Sequence, residues 1–279
     1  MDMNNYMERS TVLVEALPYI QKWYGKTIVI KYGGNAMISE ELRSAVISDI
    51  ILLHLVGVRV VMVHGGGPEI GHMLEKVGKQ SRFVDGLRYT DEETMDIVQQ
   101  VLCGKVNKHL VSIINNLGGK AIGLCGLDGA LFQAKKLDEK YGLVGKIVKV
   151  APQVVNDALS CGYIPVISTV ALGIDNDTAY NINADIAAAQ IAASLAAEKL
   201  VDTILTHAAR TYKLPKDELR LASEQIWHRD SAVCTLAQLC TYINFVNDQK
   251  TDTDHITAEA TFTMKNICLA YGVSFMDLE

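Results

Sequence analysis

The sequence predicts an α/β protein, a mainly parallel sheet with helices on both faces, followed by an all-helical C-terminal segment. Short β-branched runs at Thr27 to Lys31, Val58 to Val63, Ala121 to Leu124 and Tyr163 to Ile167 alternate with helical patterns such as Glu40 to Leu55 and Thr90 to Leu117. Strand-helix alternation is the signature of crossover connections and hence of a parallel sheet. Beyond residue 200 the texture changes, because only one of the 21 glycines, Gly272, lies there. Apolar residues recur instead at helical spacing: Leu200, Ile204, Leu205, Ala208; then Val233, Leu236, Cys240, Ile243; then Ile256, Ala260, Met264, Ile267, Tyr271. Pro215 and the stretch from Thr251 to Asp254 read as helix starts. The expected division is 1–200 for the α/β part and 201–279 for the helical segment.

Composition narrows the class. With 49% hydrophobic and 21% charged residues the 279-residue chain is globular, which excludes disorder and collagen-like repeats. Lys and Arg number 26 against 32 Asp and Glu, a formal net charge of -6, so no basic footprint for nucleic acid is expected. No apolar run is long enough to span a bilayer, and the start, Met1-Asp2-Met3-Asn4-Asn5, lacks the basic-then-apolar order of a secretory signal. A cytoplasmic protein with no membrane partner is expected. The cysteines at 103, 125, 161, 234, 240 and 268 contain no C-x-x-C pair, so reduced thiols and no metal site are expected.

The segment Ser10 to Lys26 carries Val12, Leu13, Ala16, Leu17 and Ile20 as an apolar stripe at helical spacing. Such a helix either packs on its own domain or offers its stripe to another copy. The first strand then runs into V-I-K-Y-G-G-N-A-M, Val29 to Met37. Lys31 would sit at the carboxyl end of a sheet strand, beside a Gly33-Gly34 loop whose backbone N–H groups can approach a phosphate. For this motif alone, a solvated lysine before an ordinary turn is an equal alternative.

The second strand opens into V-M-V-H-G-G-G-P-E-I, Val61 to Ile70. Gly65, Gly66 and Gly67 in a row imply that backbone passes close to a ligand or another loop. The pattern is neither a P-loop nor a G-x-G-x-x-G fingerprint. His64, beside that tight turn, is read as a brace for backbone rather than as a base. In F-V-D-G-L-R-Y-T, Phe83 to Thr90, Arg88 can present a planar fork to a carboxylate just before a helix cap at Thr90, unless it forms only a surface salt bridge.

Last comes Tyr180 to Leu200, where Asn181, Asn183 and Asp185 alternate ahead of an alanine-rich helix. Alternation while extended puts all three on one side of the chain. Capping explains Asp185, but two further amides on that side call for a polar ligand or a lysine network.

Together these four segments, in this order and spacing from about residue 8 to 200, resemble the amino acid kinase family, and within it the branch that phosphorylates N-acetyl-L-glutamate. The resemblance implies an αβα sandwich and transfer of the γ-phosphoryl group of ATP, with Mg²⁺ carried by the nucleotide, to the side-chain carboxylate of N-acetyl-L-glutamate in arginine biosynthesis. Lys31 would stabilise the transferring group, with Asp185 orienting lysines as its catalytic companion. Gly33, Gly34 and Gly65 would cradle phosphate. Gly66, Gly67, Arg88, Asn181 and Asn183 would hold the substrate, Arg88 taking its α-carboxylate. An extra N-terminal helix typifies the arginine-inhibited branch, where it interlaces dimers into a hexamer, so a homo-oligomer is expected.

The chain also departs from the family. After Leu200 the family pattern continues with a strand ending in a Thr-Asp pair and a glycine, then a Gly-Gly-Met stretch leading to a second active-site lysine. None of these is present, and Lys213, Lys216, Lys250 and Lys265 have no matching context. The helical segment is expected in place of the usual nucleotide-binding lobe. Two classes follow, a working kinase or a non-catalytic acetylglutamate-binding or regulatory protein whose ATP site has degenerated.

Overall fold

The computed structural model describes residues 3–174, 177–247, 260–261 and 274–278. The chain divides into two compact units, Met1–Ala192 with Thr261–Leu278, and Ala193–Ala260 with Glu279.

The first unit opens with helix α1 (Met3–Trp23), strand β1 (Thr27–Tyr32), the short helix α2 (Asn35–Ile38), α3 (Glu40–Leu55) and β2 (Arg59–His64). α3 starts where Ser39 Oγ accepts a hydrogen bond from the Leu42 N–H at 3.3 Å, and Glu40 and Glu41 complement its N-terminal dipole. Next come α4 (Gly67–Lys76), the hairpin strands β3 (Phe83–Val84) and β4 (Leu87–Arg88), α5 (Glu92–Gln99) and α6 (Asn107–Asn116). The expected helix cap at Thr90 falls one residue later, since Asp91 accepts from the Thr94 N–H at 2.8 Å. The helix expected to run unbroken from Thr90 to Leu117 is interrupted by a π-helical stretch, Gln100–Val106. Strands β5 (Ala121–Gly126), β6 (Phe132–Lys136) and β7 (Gly145–Val150), helix α7 (Gln153–Ser160), and strands β8 (Ile164–Gly173) and β9 (Ala179–Asn181) follow, and α8 (Ala184–Tyr212) leaves the unit.

In the main sheet β1, β2, β8 and β5 are mutually parallel neighbours in that order, while β7 and β9 pair antiparallel to β6 and β8. Val29, Val60, Val61, Met62, Val63, Val166 and Ile167 are fully buried, as expected of parallel strands covered on both faces. On one face Ile47 and Ile50 of α3, Leu74 of α4 and Leu110 and Ile114 of α6 share a core with Ile30, Val60, Met62 and Val166. The register sets Lys31 beside Val63, Tyr32 beside His64, and His64 beside Ser168. The carboxyl ends of β1 and β2 therefore lie side by side against the middle of β8, and strand ends are where open α/β sheets build their ligand crevices.

The segment expected to be all helical is not. After α8 the chain forms a three-stranded antiparallel sheet, β10 (Leu219–Ala222), β11 (Gln225–His228) and β12 (Ser231–Thr235), before α9 (Leu236–Asn247), β13 (Ala260–Thr261) and β14 (Ser274–Leu278). Pro215 precedes a single turn, Lys216–Glu218, rather than an α-helix. The β10–β11 hairpin closes over Ser223 and Glu224, both left-handed (φ 49 and 59). Without glycine or asparagine there, the turn carries no ordinary hairpin signal. Ile226 and Cys234 point inward with Ile204, Ala208, Leu219 and Leu239, so the tail buries its apolar residues from a sheet and two helices together. Val233, read as helical, lies in β12. β14 pairs antiparallel with β1, Thr27 opposite Leu278 and Lys31 opposite Ser274, adding a strand at the sheet's edge. The helix expected from Ile256 to Tyr271 lies outside the described residues except at Ala260 and Thr261, which are strand; Cys268, Lys250 and Lys265 lie outside as well.

Candidate active site

A cleft of ≈ 360 Å³ opens at the strand ends, and Lys31, Gly33, Gly34, Gly65, Gly66, Gly67, Arg88, Asn181, Asn183 and Asp185 all line it. Every site residue expected from the sequence therefore comes to one place, within the first unit.

Lys31 leaves the end of β1 and folds back over the loop, for a Cβ on Gly33 would lie 3.2 Å from its Cε and Nζ. Its ammonium meets Asp185 Oδ1 at 3.1 Å; the lysine side chain is 18% exposed and the carboxylate 60%. One ion pair on a flexible stem leaves two of its three N–H donors for a ligand. Gly34, at φ +62, takes the left-handed turn that brings the chain into α2.

The three glycines serve different ends. A Cβ on Gly66 would come within 2.5 Å of Leu102 Cδ2, so here the close neighbour is a side chain of the π-helical stretch. At Gly65 the nearest atom to a Cβ would be Ala184 Cβ at 3.4 Å, and a Cβ at Gly67 would meet no atom within 4 Å. α4 begins at Gly67 and α8 at Ala184, so two helix N-termini line the cavity, that of α8 with its Asp185 and Ile186 N–H groups taken by a cap. Both favour anions.

His64 is fully buried and braces this loop, as its sequence position suggested. Its Nδ1 donates to Gly65 O at 2.8 Å, and its Nε2 accepts from Asn107 Nδ2 at 3.1 Å. Burial pushes its pKa down to about 4, so the ring is neutral near pH 7. The π-helical stretch phases Asn107 to reach His64 and, at 2.8 Å, Val166 O.

Arg88 is strapped in place. Its Nη2 donates to Gly67 O at 2.9 Å, its Nη1 donates to Ser81 Oγ, and its guanidinium lies 4.8 Å from the centre of the Phe83 ring. Burial lowers its pKa, a desolvation that strengthens its attraction for an anion. Ser81 and Phe83 were not singled out from the sequence. Asp85-Gly86 was the available signal, since both adopt positive φ (48 and 80) and close a two-residue hairpin whose register puts Phe83 opposite Arg88.

Asn183, rather than Asp185, caps α8: its Oδ1 accepts from the N–H groups of Asp185 at 2.9 Å and Ile186 at 3.2 Å. Its remaining polar group is the amide NH₂, a donor. Asp185 is thereby freed to meet Lys31 from the helix's first turn. It is the one carboxylate among the described residues that line the cleft.

A lysine and two helix N-termini converge on glycine backbone, with a strapped arginine on the other wall and no free base between them among the described residues. The sequence profile of the amino acid kinase family matches residues 26–207. The chain belongs to that family. Acetylglutamate kinase of Clostridium beijerinckii is 53% identical over 234 residues, covering 83% of this chain and 81% of that protein. Acetylglutamate kinase of Pelotomaculum thermopropionicum is 54% identical over 211 residues, covering 71% of each. Among solved structures, smu.665 from Streptococcus mutans superposes with a TM-score of 0.56 at 29% identity, over 61% of this chain and 69% of that one. The kinase family makes ATP the phosphoryl donor.

Proposed function

We propose that this protein transfers the γ-phosphoryl group of ATP to the side-chain carboxylate of N-acetyl-L-glutamate, a step of arginine biosynthesis in the cytoplasm. The observation that carries the reading is the pairing of Lys31 with Arg88 across one cleft with no free general base among the described residues that line it. Asp185 is committed to Lys31, and His64 is buried and committed to Gly65 and Asn107. A site without a base suits an acceptor already ionised at pH 7, which a carboxylate is and a hydroxyl is not.

Arg88 holds the α-carboxylate with the N–H groups it does not spend on Ser81 and Gly67. Asn181, one of whose amide hydrogens goes to Thr90, keeps its carbonyl for the acetamido N–H. The Asn183 NH₂, the Gly33-Gly34 loop and the Gly67 N–H face phosphate oxygens. Lys31, held by Asp185, meets the charge that spreads over the transferring group, where positioning and charge cancellation constitute the catalysis. Among the described residues the cleft is lined by a single carboxylate, so Mg²⁺ would come with the nucleotide, where it would neutralise phosphate charge.

Self-association through α1 is part of the proposal. Val12, Leu13 and Leu17 of its stripe are exposed in the single chain, Val12 at 64% and Leu13 at 72%, while Ala16 and Ile20 are half-buried, which supports a face made for another copy.

The test is calorimetric titration with N-acetylglutamate and, separately, with MgATP, followed by a coupled ADP assay. Saturable binding of both and ADP release that depends on acetylglutamate are expected. Binding of acetylglutamate alone, with no turnover, would replace the kinase by a sensor.

A further inference from the structure

We infer that Thr90 is a positioning residue, a buried clasp that sets Arg88 and Asn181 at their working separation on the acceptor side of the cleft; the inference rests on the acetylglutamate reading above. Thr90 does not line the cleft and is completely buried. Its hydroxyl donates to Arg88 O at 2.9 Å and accepts from Asn181 Nδ2 at 3.3 Å. One side chain thus joins the strand that carries the arginine to the strand that carries the asparagine, 91 residues apart in sequence. Both ends of this bridge are residues assigned to the substrate, and a buried hydroxyl with donor and acceptor both used fixes the geometry of its partners.

The backbone around Thr90 makes the same connection a second time. Thr90 N donates to Tyr141 O at 3.1 Å, Leu143 N donates to Thr90 O at 2.5 Å, and Asn181 N donates to Leu143 O at 2.9 Å. The segment between β6 and β7 is thereby laced to the arginine hairpin on one side and to β9 on the other. Gly142, at φ +69, permits this lacing, because a Cβ there would stand 2.3 Å from Thr90 O. At the hairpin tip Asp85 accepts from Lys140 Nζ at 2.8 Å and from the Tyr141 hydroxyl at 2.9 Å, a further tie to the same segment. Two independent features, the hydroxyl bridge and the glycine contact, lock together the elements that aim the acceptor's ligands.

Thr90→Val keeps the shape and removes both hydrogen bonds, leaving an Asn181 N–H and the Arg88 carbonyl without this partner. Thr90→Ser keeps the hydroxyl. In steady-state assays Thr90→Val should raise the KM for N-acetylglutamate at least tenfold while the KM for ATP stays within threefold of the parent, and Thr90→Ser should restore the parent value within threefold. Gly142→Ala should shift the acetylglutamate KM in the same direction as Thr90→Val. An unchanged KM in Thr90→Val, or equal losses in Val and Ser variants with a matching fall in melting temperature, would reduce Thr90 to core filling and overturn the inference. If the parent does not turn over acetylglutamate, the functional reading fails separately. The clasp is then decided by the Arg88 Nε–Hε NMR signal, which should lose order in Thr90→Val and keep it in Thr90→Ser; equal order in both would overturn it.

Discussion

Lys31 and Arg88 face the same cleft, and the protein holds them differently. Lys31 has one partner, an exposed carboxylate at 3.1 Å, on a flexible stem that crosses Gly33. Arg88 has a carbonyl, a hydroxyl and an aromatic face around a planar group. A loosely tethered point charge can follow a phosphoryl group as it moves between oxygens. A strapped fork suits a carboxylate that stays still. The contrast divides the cleft into a side that acts in the transition state and a side that acts in the ground state, and the two kinetic constants should separate accordingly.

Lys31→Ala is the most damaging change expected. It removes a charge that matters only as negative charge develops, so kcat should fall by roughly a hundredfold or more, about 3 kcal/mol, with N-acetylglutamate affinity nearly intact. Calorimetry beside a coupled ADP assay separates the two. Equal turnover of mutant and parent would end the assignment.

Acid should act through His64, which supports the phosphate side by holding Gly65 O. Its folded pKa of about 4 lies below the ordinary 6.5, so between those values the unfolded chain takes up a proton that the folded chain refuses. The contribution is complete above pH 6.5 and is lost as pH falls toward 4, up to about 3 kcal/mol from this residue. Denaturant midpoints measured from pH 7.5 to 4.5 should fall across that window. A flat profile, or one that rises on acidification, would show that the ring is charged in the fold.

Arg88→Lys sharpens the contrast from the other side. One ammonium cannot satisfy Ser81 and Gly67 and still present two parallel donors, so the KM for acetylglutamate should rise about tenfold, ~1.4 kcal/mol, with kcat and the ATP constant little changed. If both Michaelis constants moved together, Arg88 would be a structural residue.

Deleting residues 1–24 should leave the chemistry of both sides within about twofold and reduce the mass seen by light scattering, because it removes the exposed Val12, Leu13 and Leu17 and none of the described residues that line the cleft. An unchanged mass would take the assembly role from α1.

The sequence made the site more legible than the fold's margins, and the reason is physical. Buried parallel strands such as Val60 to Val63 must be apolar throughout, and close approach at Gly66 leaves no room for a side chain, so both announce themselves. Thr90 and Ser81 act by hydrogen bonds to residues distant in sequence or across a hairpin, and no local pattern marks them. The break at Gln100–Val106 is a change of helical phase that leaves apolar spacing nearly intact, so the run from Thr90 to Leu117 reads as one helix. The β10–β11 turn at Ser223-Glu224 adopts left-handed backbone without glycine, so its strands hid behind apolar spacing that also fits a helix. Asp185 meets Lys31 as the resemblance implied, while the capping that Asp185 could also have supplied falls to Asn183, because α8 starts at Ala184.

Phosphorylation of a carboxylate yields an acyl phosphate, which hydroxylamine converts to a hydroxamate that can be counted. Incubating the protein with MgATP, hydroxylamine and N-acetylglutamate, with glutamate and with no acceptor, tests the central claim most directly. The account predicts hydroxamate with N-acetylglutamate that matches ADP released mole for mole, little with glutamate, and nearly none from Lys31→Ala. ADP release without hydroxamate, or equal hydroxamate from Lys31→Ala, would contradict it.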